Sequence, residues 1–243
     1  MSGHSKWANI KHKKEKNDAA RGKIFTKIGR EIAIAVREGG PDPENNSKLR
    51  DVVAKAKANN IPNDNIARSI KKAAGEAGNV NYEENTYEGY AAGGAAVIVE
   101  CISDNRNRTV SDIRHAFDKC GGSMGATGCV AWMFDKKGII VLEAEGLDED
   151  EVTMDALEAG ADDLRASDGL FEIYTSPDDY NAVYTELAKK YEPVSGEISM
   201  IPQNTVELDE EAQQKMIKLL DMLDDLDDVN EVYHNAELPD DEE

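Results

Sequence analysis

From Asn17 or Asp18 to Glu38, apolar residues recur with the period of a helix, and Gly39-Gly40-Pro41 ends the run. At 100° per residue Phe25, Ile28, Ile32 and Val36 share one face, while Lys23, Lys27, Arg30 and Arg37 share the opposite one. Ile34 is the exception, landing among the cations. A second helix is predicted from a cap at Asn46 or Ser47 through Ala58, with Leu49, Val52, Val53 and Ala56 inward and Lys48, Arg50, Lys55 and Lys57 outside the stripe. After the turn Asn59-Asn60-Ile61-Pro62-Asn63, a third runs from Asp64 to Ala74 with Ile66, Ile70 and Ala73 inward. Arg68, Lys71 and Lys72 fall near its end. Three such helices can close a small bundle, and Gly75 to Asn79 reads as a linker.

Beyond the linker the period changes from 3.6 to 2. Gly93 to Ile102 is predicted as a strand, Asn107 to Cys120 as a helix with Val110, Ile113, Ala116 and Phe117 inward, and Cys129 to Phe134 as a strand. Lys136-Lys137-Gly138 reads as a turn into a further strand, Ile139 to Glu143. The alternation continues with a helix over 150–159, a strand over 169–175, a helix over 178–191 and a strand over 197–201. A last helix over 210–227 carries Met216, Leu219, Leu220, Leu223 and Leu226 on one stripe, and a short strand follows near 231–234. Strands and helices alternating at this short spacing predict one or two split β-α-β, ferredoxin-like units in an α+β multidomain chain.

Charge divides the chain at the same place. Residues 1–72 hold 17 Lys and Arg against 8 Asp and Glu, a net +9, in a protein of net −21, so the remainder carries −30. A basic head on an acidic body predicts that the head meets a polyanion and the body does not. The stretch from Gly3 to Lys16 is polar, basic and without apolar period, as expected of an arm. Its Trp7 and Ile10 either tuck onto the domain or, for Trp7, stack on a base among the lysines. The closing Pro239-Asp240-Asp241-Glu242-Glu243 is too like-charged to pack.

Few residues point to catalysis. Cys101, Cys120 and Cys129 are odd in number and lack metal-ligand spacing, and His4, His12, His115 and His234 are scattered, so no metal or cofactor is expected. Gly122-x-x-Gly125-x-x-Gly128 tempts as a phosphate loop, but it follows a helix and precedes a strand, the reverse of the order that presents helix N–H groups to a phosphate. The acidic runs at 148–151 and 224–228 lack the calcium-loop frame and read as wetted faces. No nucleophile or acid–base pair is recognisable, and the chain is not expected to be an enzyme. Asn105-Arg106-Asn107-Arg108 is either a helix cap with locally paired arginines or a second contact to phosphate. No apolar run is long enough to span a membrane and no secretory signal follows the basic N-terminus, so a cytoplasmic protein is expected.

Several long segments carry a resemblance. Gly3-His4-Ser5-Lys6-Trp7-Ala8-Asn9-Ile10-Lys11-His12-Lys13, Ala54 to Pro62 with Asp64-Asn65-Ile66, Tyr87-Glu88-Gly89-Tyr90, and Val97 to Cys101 leading to Asp104-Asn105-Arg106-Asn107-Arg108-Thr109 resemble, in order, the YebC family. One departure is Tyr90-Ala91-Ala92-Gly93, where the family usually has Tyr-Gly-Pro-Gly. The resemblance implies an α-helical domain over 1–78, a middle α/β domain over 79–134 plus 206–238, a third α/β domain over 135–205 inserted into it, and a tail over 239–243. Members are described as cytoplasmic DNA-binding transcriptional regulators, as ribosome-associated factors that ease translation through proline runs, and, in mitochondria, as translational activators.

Charge and resemblance together give a nucleic-acid-binding regulator of gene expression, with DNA as the first reading and ribosomal RNA as the alternative. The residues expected to make contact are Lys6, Trp7, Lys11, His12, Lys13, Lys14 and Lys16 of the arm, and Lys23, Lys27, Arg30, Lys48, Lys55, Lys57, Arg68, Lys71 and Lys72 of the helices. Asn105, Arg106, Asn107 and Arg108 are the candidate second contact. No residues suited to reading base edges are evident, so any DNA binding is expected to be weakly sequence-specific. A further reading, in which the basic helices dock on the acidic domains of another copy, needs no nucleic acid.

Overall fold

The computed structural model describes residues 17–75, 81–167 and 169–239; the arm residues Lys6 to Lys16 lie outside them, as does most of the expected linker and tail. Among the described residues no helix is long and apolar enough to cross a membrane. The chain divides into two compact units, Met133–Gln203 on one hand and residues 17–132 with 204–239 on the other.

The larger unit begins with three helices, α1 (Asn17–Gly39), α2 (Ser47–Ala58) and α3 (Asn63–Gly75). Their shared core is the one the apolar period predicts: Ile28, Ile32, Leu49, Val52, Ala56 and Ile66. Asn46 fixes the corner between α1 and α2. Its Oδ1 accepts from Leu49 N at 3.0 Å, and its Nδ2 donates to Ala35 O at 2.7 Å and Gly40 O at 2.8 Å. Asn60, at φ 57°, makes the left-handed step between α2 and α3.

The same unit continues through β1 (Glu83–Tyr90), β2 (Ala96–Ser103), α4 (Arg106–Lys119) and β3 (Ser123–Met124). Four elements follow residue 203: β8 (Val206–Glu207), α7 (Glu210–Asp224), β9 (Val229–His234) and β10 (Ala236–Glu237), which pairs β8. The sheet runs β3-β1-β2-β9 with antiparallel neighbours throughout. One face, carrying Val97, Val99 and Cys101, packs on Ile113 and Phe117 of α4 and Met216, Leu219 and Leu223 of α7. Each such fully buried aliphatic or aromatic side chain is worth about 1.5–3 kcal/mol relative to exposure. Ile98 and Ile102 point to the other face and are also buried.

The smaller unit is β4 (Phe134–Glu143), α5 (Glu149–Ala159), β5 (Asp163–Ser167), β6 (Leu170–Thr175), α6 (Tyr180–Leu187) and β7 (Ser195–Pro202). Its antiparallel sheet runs β5-β6-β4-β7, which with the order βαββαβ is the ferredoxin-like arrangement. The sheet of the larger unit has the same spatial plan, with β1 coming first among its strands where its counterpart β6 follows β5. In the smaller unit Ile140 and Leu142 face α5 and α6, while Ile139 and Val141 pack with Leu170 and Tyr174 on the opposite side. Burial on both faces explains the uninterrupted apolar run. The first and last strands lie side by side, with Phe134 opposite Pro202 and Gln203 N donating to Met133 O at 2.9 Å.

Several elements differ from expectation. The stretch 129–133 is not a strand; Ala131–Met133 forms a single 3-10 turn, because its N–H groups are taken by a buried carboxylate described below. Lys136-Lys137-Gly138 is not a turn but the interior of β4, and Gly138 is there because a Cβ would lie 2.7 Å from Tyr180 Cδ2. β1 and β5 were not predicted, since neither carries an apolar alternation. Helix α6 is shorter than 178–191. The departure at Tyr90-Ala91-Ala92-Gly93 is accommodated without strain, with Ala91 extended at φ −79° and only Gly93 at positive φ.

Candidate nucleic-acid interface

The cationic face of α1 is not a free surface. Lys23 Nζ lies 2.7 Å from Asp225 Oδ1, Lys27 Nζ 3.0 Å from Asp224 Oδ1, and Arg30 Nη1 2.9 Å from Asp228 Oδ1. Arg30 also donates to Ile102 O at 3.1 Å and Asp227 O at 2.7 Å. Arg37 donates to Asn81 Oδ1 and Tyr82 O, each at 2.7 Å. This corrects the expectation that Lys23, Lys27 and Arg30 present a row of cations to solvent: the row faces the chain's own acidic run between α7 and β9. It also accounts for Ile34, which is 1% exposed because the side of α1 it shares with the cations is an interface.

Two cations of α2 are engaged as well. Lys48 Nζ bridges Glu38 at 3.1 Å and Glu84 at 2.8 Å, and Lys55 Nζ bridges Glu31 at 2.8 Å and Glu231 at 3.1 Å. Burial pulls the Lys55 ammonium down, but Glu231 and Glu31 outweigh it and hold its pKa above the ordinary lysine value. Helix α2 is thus pinned to β1 and β9 by charge, and α1 to the acidic run before β9.

What remains outward is a smaller set. Lys57 on α2 and Arg68 and Lys71 on α3 are exposed and, among the described residues, make no ion pair; Lys72 beside them is exposed too. Arg68, Lys71 and Lys72 stand three and four residues apart on one face of α3. Arg50, seven residues before Lys57 and also exposed, belongs to the same face of α2, and the sequence reading left it out of the contact set although that spacing marks it.

The candidate second contact resolves differently for each residue. Asn105 caps α4, its Oδ1 accepting from Arg108 N at 3.1 Å. Arg108 is turned inward to Asp228, with Nη2 at 2.8 Å and Nε at 3.2 Å from Oδ2, and to Asp104 at 3.0 Å. That corrects its assignment as a phosphate contact; Arg106 and Asn107 are exposed. Asp228 is the hub: it accepts from Arg30, Arg108, Ser103 Oγ at 3.0 Å and Thr109 Oγ1 at 2.8 Å while 7% exposed. Burial pushes its pKa up, but the bonds from Arg108, Thr109 and Ser103 prevail and hold it below the ordinary carboxylate range.

A cleft of about 480 Å³ opens beside this hub, lined by Arg30, Tyr82, Asp104, Arg108, Asp112 and residues 225–228. Its two arginines already pair with Asp228 and the rest of its charge is negative, so it disfavours an anion. Among the described residues no group of three or more His, Cys, Asp or Glu is placed to hold a metal.

The glycine-rich run is a packed loop. Gly122 has no room for a side chain, since a Cβ would lie 2.6 Å from Tyr90 O, and Gly128 takes φ 86°. The loop is clamped by Glu88, 3% exposed, whose Oε1 accepts from Gly128 N at 2.6 Å and whose Oε2 accepts from Val130 N and Ala131 N at 2.8 Å each. Burial raises the Glu88 pKa, and the three backbone donors lower it further than burial raises it. Those donors serve the protein's own carboxylate.

Comparison with known proteins agrees with this architecture. Residues 5–76 match the model of the TACO1/YebC protein N-terminal domain and residues 82–236 that of the TACO1/YebC second and third domain. A protein of Acetivibrio thermocellus named "Probable transcriptional regulatory protein" is 60% identical over 238 residues, covering 97% of this chain and 98% of its own length. A relative of the same descriptive name from Clostridium novyi is 56% identical, covering 99% of each. The crystal structure of a conserved hypothetical protein from Aquifex aeolicus superposes with a TM-score of 0.80 at 46% identity, over 91% of this chain and 92% of that one. On family models that together span nearly its whole length, this chain belongs to the TACO1/YebC family.

Proposed function

We propose that this protein regulates gene expression by binding nucleic acid through phosphate contacts, with DNA as the partner and no catalytic step. The observation that carries the reading is the exposed set Lys57, Arg68 and Lys71, without an ion pair among the described residues, on two adjoining helices, with Lys72 and Arg50 alongside, in a chain whose remainder is strongly negative. The arm extends that set in sequence with Lys6, Lys11, Lys13, Lys14 and Lys16, beside Trp7 and His12. The names of the relatives, probable transcriptional regulatory proteins, support the transcriptional side.

A second reading, binding to ribosomal RNA, is favoured by the confinement of positive charge to one end. A body of net −30 repels a long duplex laid across it, while a recess in folded RNA can admit the basic end alone. Binding to a labelled DNA duplex and to structured RNA, each measured across 50–200 mM salt, separates the two. Reversing Lys57, Arg68 and Lys71 to glutamate is expected to lower affinity and to flatten the salt slope by about one unit per contact. Reversing Lys11, Lys13 and Lys14 is expected to act in the same way, by several orders of magnitude at low salt on the order expected for lost phosphate contacts. An unchanged slope in both variants refutes the phosphate interface. Partition between ribosomes and chromosome in gently lysed cells then decides the partner.

A further inference from the structure

The cations that α1 withholds from solvent are held by carboxylates, the protein groups nearest in charge and acceptor chemistry to phosphate oxygens. We propose that the acidic run Asp224 to Asp228 is a built-in competitor for nucleic acid: it occupies Lys23 and Lys27, and a polyanion that displaces Asp224 and Asp225 gains these two lysines as a further phosphate-binding strip. The inference rests on the nucleic-acid reading above and adds to it a masked site and the means of its masking.

The seam is graded, and the grading is what makes exchange feasible. At its inner end Arg30 is fixed by Asp228, whose side chain is 9% exposed, and by two main-chain carbonyls. At its outer end the Lys23–Asp225 pair is 41% and 78% exposed; next to it Lys27, itself 14% exposed, meets an Asp224 that is 58% exposed. Exposed pairs of this kind are weak and screened by salt, whereas a buried, multiply bonded pair is not readily opened. Lys23 and Lys27 can therefore turn from carboxylate to phosphate while Arg30 keeps α1 seated.

The position of the acids points the same way. Asp224 closes α7 and Asp225 follows it, at the end where the helix dipole already presents negative charge, and the last turn of α7 contains no basic residue. Lys23 and Lys27 of α1 pair with them. Lys23, Lys27 and Arg30 lie at i, i+4 and i+7 on one face, so the two outer lysines form a short strip once released. Until then, the four carboxylates 224, 225, 227 and 228 repel any polyanion approaching that face.

The test is a charge-matched cycle read by fluorescence anisotropy on a labelled DNA duplex between 50 and 200 mM salt. One variant carries D224N, D225N and D227N. Its control carries E207Q, E210Q and E211Q, the same change in charge at the other end of α7, roughly 20 Å away by helix rise. K23Q with K27Q is introduced into the wild type and into the D224N/D225N/D227N protein, and circular dichroism confirms that each variant is folded. The unmasked protein is expected to bind about tenfold tighter than its control, with a salt slope steeper by about two units, one per lysine released. K23Q/K27Q is expected to change the wild type less than about twofold and to abolish the gain in the unmasked protein. Equal gains in the unmasked protein and the control, or an equal loss from K23Q/K27Q in both backgrounds, overturns the proposal. If the Lys57, Arg68 and Lys71 reversals leave wild-type binding unchanged while the cycle behaves as expected, the α2–α3 interface fails and the masked strip stands. Absence of binding in every variant overturns both.

Discussion

Arg30 and Asp228 are separated by 198 positions in the chain, yet Arg30 Nη1 and Asp228 Oδ1 meet at 2.9 Å. The contact joins the helical bundle to the sheet at the one point where the carboxylate is buried and fully hydrogen-bonded. Removing it takes one acceptor each from Arg30, Ser103 and Thr109. Asp228→Ala is expected to destabilise the larger unit by about 3 kcal/mol, the low end for a broken buried pair because Arg108 reaches water. Urea denaturation of wild type and variant measures it, and a difference under about 1 kcal/mol would mean the hub is not structural.

Acid should weaken the same contact. The folded-state pKa values of Asp228 and Glu88 both lie below their ordinary values, so each stabilises the fold above the unfolded pKa, near 4, and loses that contribution as pH falls through the folded one. Unfolding free energy is therefore expected to fall as pH drops below about 5. Asp228→Asn lacks one of the two titrating groups and should show a shallower decline; parallel curves would contradict the depressed pKa.

Glu88→Gln tests the clamp on the glycine-rich loop. The amide keeps one acceptor oxygen and turns an NH2 group toward backbone donors that now meet carboxylate oxygens at 2.6 to 2.8 Å. A loss of about 2 kcal/mol is expected, with faster amide exchange at Gly128, Val130 and Ala131. Unchanged exchange at those amides would show that the loop is held by other means.

The thiols offer a simple check on packing. Cys101 is 2% exposed, and burial, with Asp228 and Glu100 nearby, pushes its thiol up to about 12. Burial raises Cys120 and Cys129 as well, but Cys129 is only half-buried. At pH 8 a thiol reagent is expected to label Cys129 first and the other two only on unfolding. Simultaneous labelling of all three in the native protein would contradict this burial.

Gly138→Ala probes the smaller unit alone. The added methyl would stand 2.7 Å from Tyr180 Cδ2 in the central strand, and a loss of about 1–3 kcal/mol is expected. Hydrogen exchange should quicken within 133–203 and not in the core of Val99, Phe117 and Leu219.

The helices and their inward faces were legible because period and caps are local properties, and Asn46 and Asn105 both do what their positions suggest. The cationic face of α1 was also read correctly as a face, but not its neighbour, since nothing local links Lys23 to an acidic run two hundred residues on. Ile34 was the available signal: an apolar residue among cations marks a side that packs. β1 escaped notice because Glu88, the residue that breaks its apolar alternation, is buried against backbone donors. Of the expected contact residues, Lys57, Arg68 and Lys71 are exposed and, among the described residues, make no ion pair.

Because Phe134 pairs with Pro202 and Met133 with Gln203, the smaller unit leaves the chain almost where it joined it. A short turn grafted between Trp132 and Asn204 would close the gap, so the unit is a removable cassette. Evolution could have acquired or exchanged it without disturbing the host sheet, and engineers can delete it or replace it with a reporter of their choosing.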